Sequence, residues 1–465
     1  MSGSLRVAVI GGGIAGLAAA LRLRDRLGPA ARITVWEKDR DPGGKLRTGT
    51  VAGRRAELGA EAFLVREPGG DGDSAAVALA RRLGLDLVHP EPVPPGLYVD
   101  GTLHPLPAGT LLGVPADPAA VAGVAAVEPD RDRPGDRPLL PPGHDVAVGT
   151  LVRQRLGDPV VDRLVDPMLG GVYAGRADAL SLRATMPGLA AACATEPTLT
   201  GAVRAAIAAA RRPAGGPVFA TVRDGMSALV EAVAAAAKAE IRTGRPVREL
   251  TPYRSGWGLV VGATRDPETV EVDAVVLALP SRPAARLLRS AGQPAAADVG
   301  ALDYASVALV SLAYPHHVPL PERSGFLVPA TEGTTIKAAT FFSRKWRHLA
   351  DAGPPVVRVS VGRYGEEQVL RLTDPELVRR AHQDLAAVLG RRLPAPAGAH
   401  VQRWGGALPQ YAPGHVDRVA AARAALPATL RLAGAGYDGV GIPACIRSGQ
   451  AAADGVVATL EESHV

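Results

Sequence analysis

The sequence has few of the features that indicate a secreted, metal-binding or membrane-spanning protein. Only two cysteines occur in 465 residues, Cys193 and Cys445, and their spacing matches neither a disulfide framework nor a zinc site. No run of about 18 uninterrupted apolar residues is present, so we predict no transmembrane segment. No basic segment precedes an apolar core near the first residues, which argues against a signal peptide. We therefore expect a cytoplasmic protein without a metal site.

An excess of charge of one sign is also missing. The formal net charge is only +6, and the basic residues form no run interleaved with aromatic residues. This distribution argues against a nucleic-acid partner. The hydrophobic fraction of 47% is typical of a globular protein. A chain of this length should form roughly two or three domains with ample core.

A dinucleotide-binding turn follows the first predicted strand, the apolar run over residues 5–10. In the motif Gly11-x-Gly13-x-x-Gly16, the first glycine makes a tight turn and the second lets the backbone approach a pyrophosphate. The third lets the following helix pack closely on the sheet. The first amides of that helix would face the phosphates. The residues predicted to bind the cofactor here are Gly11, Gly12, Gly13, Ile14, Ala15 and Gly16.

An acidic residue follows the second predicted strand, over residues 33–36. Glu37 stands about 20 residues after Gly16, the spacing of a carboxylate that binds ribose hydroxyls. Further along, the spacing of Leu79 and Leu83 predicts a helix over 75–88. Residues 146–212 are also predicted to be mainly helical.

A second glycine motif, Gly434-x-Gly436-x-x-Gly439, occurs near the end of the sequence. A separate NAD(P) site would need a complete βαβ unit, and no further strand follows, so we predict none. Residues 441–443 instead lead into a helix predicted from about 444 to 460. The N-terminus of that helix would stabilise the negative charge of a reduced cofactor.

Several motifs resemble, in the same order, those of the flavoprotein superfamily of amine oxidases, phytoene desaturases and porphyrinogen oxidases. They are GGGIAGLAAA from Gly11, GGKLRT from Gly43, GAEAF from Gly59, RDGMSALVEAV from Arg223, VVLALP from Val275 and AGAGYDGVGIPACIRSG from Ala433. Within this superfamily the chain is most similar to the protoporphyrinogen/coproporphyrinogen oxidases. That likeness depends on GGVYAG at 170–175, LYVDGTLHPLP at 97–107 and WGGALPQY at 404–411, followed by Gly414 and His415.

The resemblance implies FAD as the cofactor and further residues that bind it. These are Glu37, Lys38, Lys45, Gly59, Ala60, Glu61, Ala62, Val247, Trp404, Gly441, Ile442 and Pro443. It also implies substrate contacts at Gly171, Tyr173 and Gly175, whereas it identifies no catalytic side chain. Structural alternatives stay open at this point. Lys45 could be a solvated charge, residues 59–62 a plain turn, Val247 an ordinary strand residue and Trp404 a core tryptophan.

The resemblance also implies an α/β fold: a Rossmann-like FAD-binding domain with an inserted α+β substrate domain and a helical subdomain. We predict that residues 1–65, 216–285 and 400–465 form the FAD-binding domain. Residues 66–215 and 286–399 are predicted to form the substrate-binding domain with its helical insertion. The segment 93–96 lacks the arginine with which some relatives bind a substrate propionate. Arg176, Arg344 and Lys345 are candidates for binding carboxylates of the substrate from the inserted domain, although each could instead be a solvated surface charge.

The activity implied is an oxygen-dependent, six-electron oxidation of a porphyrinogen in heme biosynthesis. Coproporphyrinogen III is the favoured substrate, because the composition and the absence of a predicted membrane segment resemble the Gram-positive enzymes. The partners implied are the porphyrinogen, O₂ and a ferrochelatase in transient contact. Protoporphyrinogen IX oxidation is one alternative. The others are an amine oxidase or carotenoid desaturase, and a flavin-binding scaffold without turnover.

Overall fold

The structure is a computed structural model that describes residues 4–67, 70, 72–210, 216–254, 256–315, 318–350, 353 and 355–462. A five-stranded parallel sheet, here called the central sheet, forms its middle layer. The strands lie in the spatial order Glu240–Arg242, Arg32–Trp36, Arg6–Ile10, Ala274–Leu277 and Leu430–Leu432. Because parallel neighbours need crossover connections, segments far apart in the chain meet in this one sheet.

Both faces of the central sheet are covered. Val7 and Val9 face one side, where they pack against three helices: the N-terminal helix Ile14–Leu27, the helix Met226–Ala237 and the C-terminal helix Ile442–Glu462. Ala8 and Ile10 face the opposite side. That side is covered by the helices Ser281–Ser290, Ala296–Gly300 and His415–Ala424 and by an antiparallel sheet of Val247–Tyr253, Gly256–Val261 and Glu268–Val272. Burial on two faces explains why the inner strands Arg6–Ile10 and Ala274–Leu277 are almost entirely apolar, whereas the edge strand Glu240–Arg242 carries charged residues.

A seven-stranded sheet, the large sheet, forms the second unit. Its order is Gly398–Gln410, Asp303–Ala313, Val356–Val361, Ile336–Phe341, Gly325–Leu327, Gly96–Val99 and Thr102–Pro105. Only the pair Gly325–Leu327 and Gly96–Val99 is parallel. One face packs on the helix Asp374–Val388. Residues 400–410 therefore pair within the large sheet, although the predicted boundary at residue 400 assigned them to the FAD-binding domain. Their partner strand Asp303–Ala313 decides this, and it lies far away in the sequence.

A helical subdomain covers residues 146–210 of the predicted region, and the predicted end at 212 lies outside the described residues. It contains Val148–Leu156, Asp158–Val160, the π-helix Val161–Val165, Asp166–Tyr173, Leu182–Thr185, Pro187–Cys193 and Leu199–Ala209. The predicted helix over 75–88 is wrong in its second half, since the helix ends at Arg82. Leu87–Val88 form a strand instead, because Leu87 pairs with Val222.

Shorter elements connect these units. The strands are Thr48–Val51, Arg54–Glu57, Phe63–Leu64, Thr110–Leu111, Val114–Pro115 and Phe219–Val222. The helices are Ala75–Arg82, Phe342–Lys345, Arg347–Ala350 and Ala435–Asp438, and the 3₁₀ turns are Pro118–Val121, Pro129–Arg131, Ala177–Ala179, Ala330–Glu332 and Glu367–Arg371. The predicted architecture, a Rossmann-like α/β unit with an α+β insertion and a helical subdomain, is confirmed. Within the described ranges, no helix has the length and apolar character needed to cross a lipid bilayer.

Candidate cofactor and substrate site

Two glycines of the turn after the first strand, Gly11 and Gly16, leave no room for a side chain. A Cβ added to Gly11 would lie 2.3 Å from the carbonyl oxygen of Ala278, and Gly11 has a φ of +109°. A Cβ on Gly16 would lie 1.9 Å from the Gly11 carbonyl oxygen. At Gly13, in contrast, no atom lies within 4 Å of such a Cβ. The turn is therefore tightly packed at Gly11 and Gly16 and open at Gly13.

The N-terminal helix begins at this open side without a side-chain cap. Its N-cap residue is Gly13, and Leu17 is the first residue whose N–H reaches a carbonyl of the turn, that of Gly13, at 2.9 Å. The amides of Ile14, Ala15 and Gly16 consequently have no intrahelical acceptor. Unpaired amides at the positive end of a helix dipole form an anion site, as a pyrophosphate requires.

Glu37 is held beside the same turn. The residue is buried, with 8% of its surface exposed. Oε2 accepts from the Gly12 N–H at 2.8 Å, and Oε1 accepts from the Asp39 N–H at 2.9 Å. A carboxylate offers about four lone-pair positions, so sites remain for two ribose hydroxyls. Lys38 points elsewhere: its ammonium pairs with Asp39 at 2.8 Å, and its side chain is 69% exposed.

Val247 lies on the same side as Glu37. The Arg245 N–H donates to the Glu37 carbonyl oxygen at 2.9 Å, which brings the chain leading to Val247 next to the acidic residue. Val247 is buried in the cluster that contains Trp36. This position is compatible with a backbone contact to an adenine ring.

Lys45 supplies a positive charge to the cleft. The backbone around it is fixed by Gly59, whose Cβ would lie 1.9 Å from the Lys45 carbonyl oxygen, and by the Ala60 N–H, which donates to that oxygen at 3.0 Å. Burial lowers the pKa of the Lys45 ammonium. Among the described residues no carboxylate pairs with this ammonium, and burial lowers its pKa more than the charge of Cys445 raises it. An anionic ligand would balance this charge.

The C-terminal helix brings a second N-terminus to the cleft. A Cβ on Gly449 would lie 2.0 Å from the Ala15 carbonyl oxygen, so the two helices cross in direct contact. Ile442 and Cys445 are buried in the same cluster as Ala15. Gly441, Ile442 and Pro443 therefore begin this helix next to the phosphate-binding turn. Open space at Gly13, uncapped amides, Glu37 and an unpaired Lys45 together fit a bound dinucleotide.

Glu61 does not face that cleft as a free carboxylate. It forms buried ion pairs with Lys345 and Arg358. Burial alone would raise the pKa of Glu61, but the two cations lower it below its ordinary value. Arg358 also donates to the carbonyl oxygens of Glu57 at 3.0 Å and Gly59 at 2.8 Å. The group thus ties residues 57–61 to the large sheet, and Lys345 is not free to bind a propionate.

Trp404 packs on the same loop from the large sheet. Its indole N–H donates to the Leu58 carbonyl oxygen at 2.8 Å, and the Arg47 guanidinium lies 5.8 Å from its ring centre. Trp404 is half-buried, and the adjoining Gly405 has no atom within 4 Å of an added Cβ. Its ring therefore lines the loop formed by Gly59, Ala60, Glu61 and Ala62.

The predicted substrate residues divide into two kinds. Tyr173 is buried edge-to-face against Tyr411, with ring centres 5.6 Å apart. Gly175 is a packing glycine, since an added Cβ would lie 2.3 Å from Oε1 of Gln410. Gly171 is exposed and can meet a ligand.

Of the other two basic candidates, Arg176 is paired with carboxylates, whereas Arg344 is exposed and contacts a backbone carbonyl oxygen. Arg176 pairs with Asp166 at 3.2 Å and with Glu366 at 3.1 Å. Arg344 donates to the Leu320 carbonyl oxygen at 3.0 Å. Sequence reasoning missed Lys337 and Arg363, which are both buried near Gly171. A lysine within the apolar strand Ile336–Phe341 was the signal available for the first of them.

Comparison with known proteins agrees with this site. Residues 14–457 match the family "Flavin containing amine oxidoreductase". The coproporphyrinogen III oxidase of Mycobacterium tuberculosis strain H37Rv is 38% identical, over 97% of each chain. That of Bacillus subtilis strain 168 is 30% identical, also over 97% of each. The crystal structure of the "Putative protoporphyrinogen oxidase" of Exiguobacterium sp. 255-15 superposes with a TM-score of 0.84 and 29% identity, covering 98% of this chain and 99% of that one.

These similarities confirm the predicted resemblance, the FAD cofactor and the oxidoreductase class. The chain belongs to the flavin-containing amine oxidoreductase family.

Proposed function

We propose that this protein oxidises coproporphyrinogen III to coproporphyrin III, with FAD as the bound cofactor and O₂ as the final electron acceptor. The observation that carries the proposal is 38% identity, over 97% of both chains, to a coproporphyrinogen III oxidase. Removal of six electrons and six protons from the macrocycle is balanced by reduction of three O₂ to three hydrogen peroxide. Bound FAD would accept the electrons two at a time.

The residues of this chain supply binding and charge in this proposal. The uncapped amides of the N-terminal helix and Lys45 would bind the pyrophosphate, and Glu37 the ribose. The start of the C-terminal helix, at Gly441 to Pro443, would stabilise negative charge on the reduced ring. The ion-paired loop at Glu61 and the Trp404 ring would fix the ring's orientation. No side-chain base is assigned.

The proposal includes a cytoplasmic location and a transient contact through which a ferrochelatase receives the product porphyrin. Both derive from the family resemblance. Protoporphyrinogen IX oxidation is the second candidate, since the similar Exiguobacterium protein carries that name.

Anaerobic reduction of the flavin separates these functions. The FAD-loaded protein is mixed in turn with coproporphyrinogen III, protoporphyrinogen IX and a set of amines, and the loss of flavin absorbance is followed. We expect the fastest reduction with coproporphyrinogen III, followed by peroxide production when O₂ is admitted. Faster reduction by protoporphyrinogen IX would favour the second candidate. Reduction by amines alone, or by none of these compounds, would contradict the proposal.

A further inference from the structure

Two buried cations, Lys337 and Arg363, lie beside the helix Asp166–Tyr173. Lys337 is 6% exposed, and its ammonium donates to the Gly170 carbonyl oxygen at 3.2 Å. Arg363 is 9% exposed and donates to the Val328 carbonyl oxygen at 3.1 Å. The Val328 N–H in turn donates to the Lys337 carbonyl oxygen at 2.9 Å. The Arg363 side chain and the Lys337 backbone therefore both contact Val328, next to the strand Gly325–Leu327 of the large sheet.

The acidic residues nearby do not neutralise this pair. Asp166 forms an ion pair with Arg176 at 3.2 Å. Glu366 is shared between Arg176 at 3.1 Å and Arg363 at 3.9 Å. Three cations thus face two carboxylates, and within the described ranges no carboxylate pairs with Lys337. Burial and the charge of Arg363 lower the pKa of Lys337 to about 7. A buried cation without a counter-charge is costly unless a ligand supplies one.

The position of this pair coincides with the open part of the GGVYAG motif. Gly171 is exposed, and Val172 is 42% exposed although it is apolar. The Ala174 carbonyl oxygen accepts from the Tyr364 N–H at 2.7 Å, which fixes the residue after Arg363 to the end of the motif. The cations consequently lie next to an uncovered turn of the helix, where a ligand can approach.

We propose that Lys337 and Arg363 bind a carboxylate of the substrate at this turn. The inference rests on the proposed function, because a porphyrinogen with propionate side chains is the ligand that brings the carboxylate. Charge-assisted hydrogen bonds from an ammonium and a guanidinium are the strong contacts available to such a group. The substrate carboxylate would balance the positive charge of Lys337, with which no carboxylate of the described residues pairs.

Binding of a stable porphyrin by the full-length, FAD-loaded protein tests this assignment. Fluorescence titrations compare coproporphyrin III with its tetramethyl ester, which keeps the macrocycle but carries no carboxylate. In Lys337→Met, affinity for coproporphyrin III should fall about 10- to 100-fold, as expected for a lost hydrogen bond between charged groups. Affinity for the ester should not change.

Three controls accompany that variant. Lys337→Gln keeps a donor for Gly170 without the charge and should lose the same affinity. Lys238→Met removes the same charge from an exposed site at the end of the helix Met226–Ala237 and should change neither affinity. Wild type should bind coproporphyrin III at least about tenfold more tightly than the ester, a comparison that needs no variant to fold.

The outcomes separate this inference from the proposed function. Equal affinity of wild type and both Lys337 variants for coproporphyrin III would overturn the inference, while porphyrinogen oxidation by the wild type would still support the function. Equal loss of acid and ester binding would show that Lys337 only maintains the fold, and would overturn it as well. Failure of the wild type to bind any porphyrin or oxidise any porphyrinogen would overturn both.

Discussion

Replacing Lys337 by Met should stabilise the substrate-free, FAD-loaded protein, and the gain should shrink as pH rises. Burial and Arg363 lower the pKa of Lys337 from 10.5 to about 7 in the folded state. At a pH between these two pKa values, Lys337 is mostly protonated in the unfolded chain and mostly neutral in the folded chain. Stability of the wild type therefore rises with pH through this window. The variant has no such group and lacks this contribution.

The size of the effect follows from the two pKa values. The lowered pKa of Lys337 reduces the free energy of unfolding by about 4 kcal/mol at pH 7 and by about 2 kcal/mol at pH 9. Unfolding entropy of about 2.1 cal/mol/K per residue gives about 1 kcal/mol/K for a chain of 465 residues. Lys337→Met should thus unfold about 4 °C above wild type at pH 7 and about 2 °C above it at pH 9.

Calorimetry or fluorescence melts at a fixed excess of FAD measure this difference. Any hydrophobic gain from the methionine shifts both values equally, so the change in the difference between pH 7 and pH 9 is the diagnostic quantity. Lys238→Met, at an exposed position, should show no change of this kind. A difference that stays constant, or that grows at pH 9, would refute the view that Lys337 is a buried, uncompensated cation.

Four further outcomes are expected. Glu37→Ala should weaken FAD binding by about 1.5–3 kcal/mol, because a charged hydrogen-bond acceptor for the ribose is lost. Flavin occupancy is measured after gel filtration, with Glu461→Ala as the exposed control, and equal occupancy of Glu37→Ala and wild type would exclude that role. Lys345→Met should destabilise the protein by about 3–5 kcal/mol, because Glu61 loses one of its two buried partners; an unchanged urea midpoint would show the pair to be dispensable. The ratio of kcat/KM for coproporphyrinogen III to that for protoporphyrinogen IX should fall as ionic strength rises, because salt screens the two additional carboxylates of coproporphyrinogen III; a salt-independent ratio would contradict this expectation. Turnover should need no nicotinamide, and activity that appears only with added NADH or NADPH would show that expectation to be wrong.

Short-range patterns in the sequence were enough to predict the dinucleotide-binding unit. The strand, the glycine turn and the helix up to Leu27 are consecutive, so sterics at Gly11 and Gly16 act between residues of one short segment. The position of Glu37 could be predicted in the same way. The second strand runs parallel to the first and must follow one crossover connection of predictable length, and Glu37 comes directly after that second strand. The family resemblance extended this prediction to Lys45 and to the start of the C-terminal helix.

Tertiary structure alone decided how the charged residues pair. The ion pairs of the Glu61 side chain could not be predicted, because Lys345 and Arg358 reach it from nearly 300 residues away and make it an anchor for the loop. Leu87 satisfied a helical pattern yet became a strand residue, because Val222 offers it backbone partners. Local spacing carries no information about such partners, since strand pairing and ion pairing depend on segments that meet only in the folded chain.

The same limit applies to the carboxylate subsite. Arg176, Arg344 and Lys345 are equally basic in the sequence, but in the fold Arg176 and Lys345 pair with carboxylates and Arg344 is exposed. Lys337 and Arg363 differ from them only because the large sheet buries both next to an exposed helical turn with too few acidic neighbours. Composition and spacing determined that this chain binds a dinucleotide, whereas the balance of buried charge, a property of three-dimensional packing, decided which of its cations are left for a substrate.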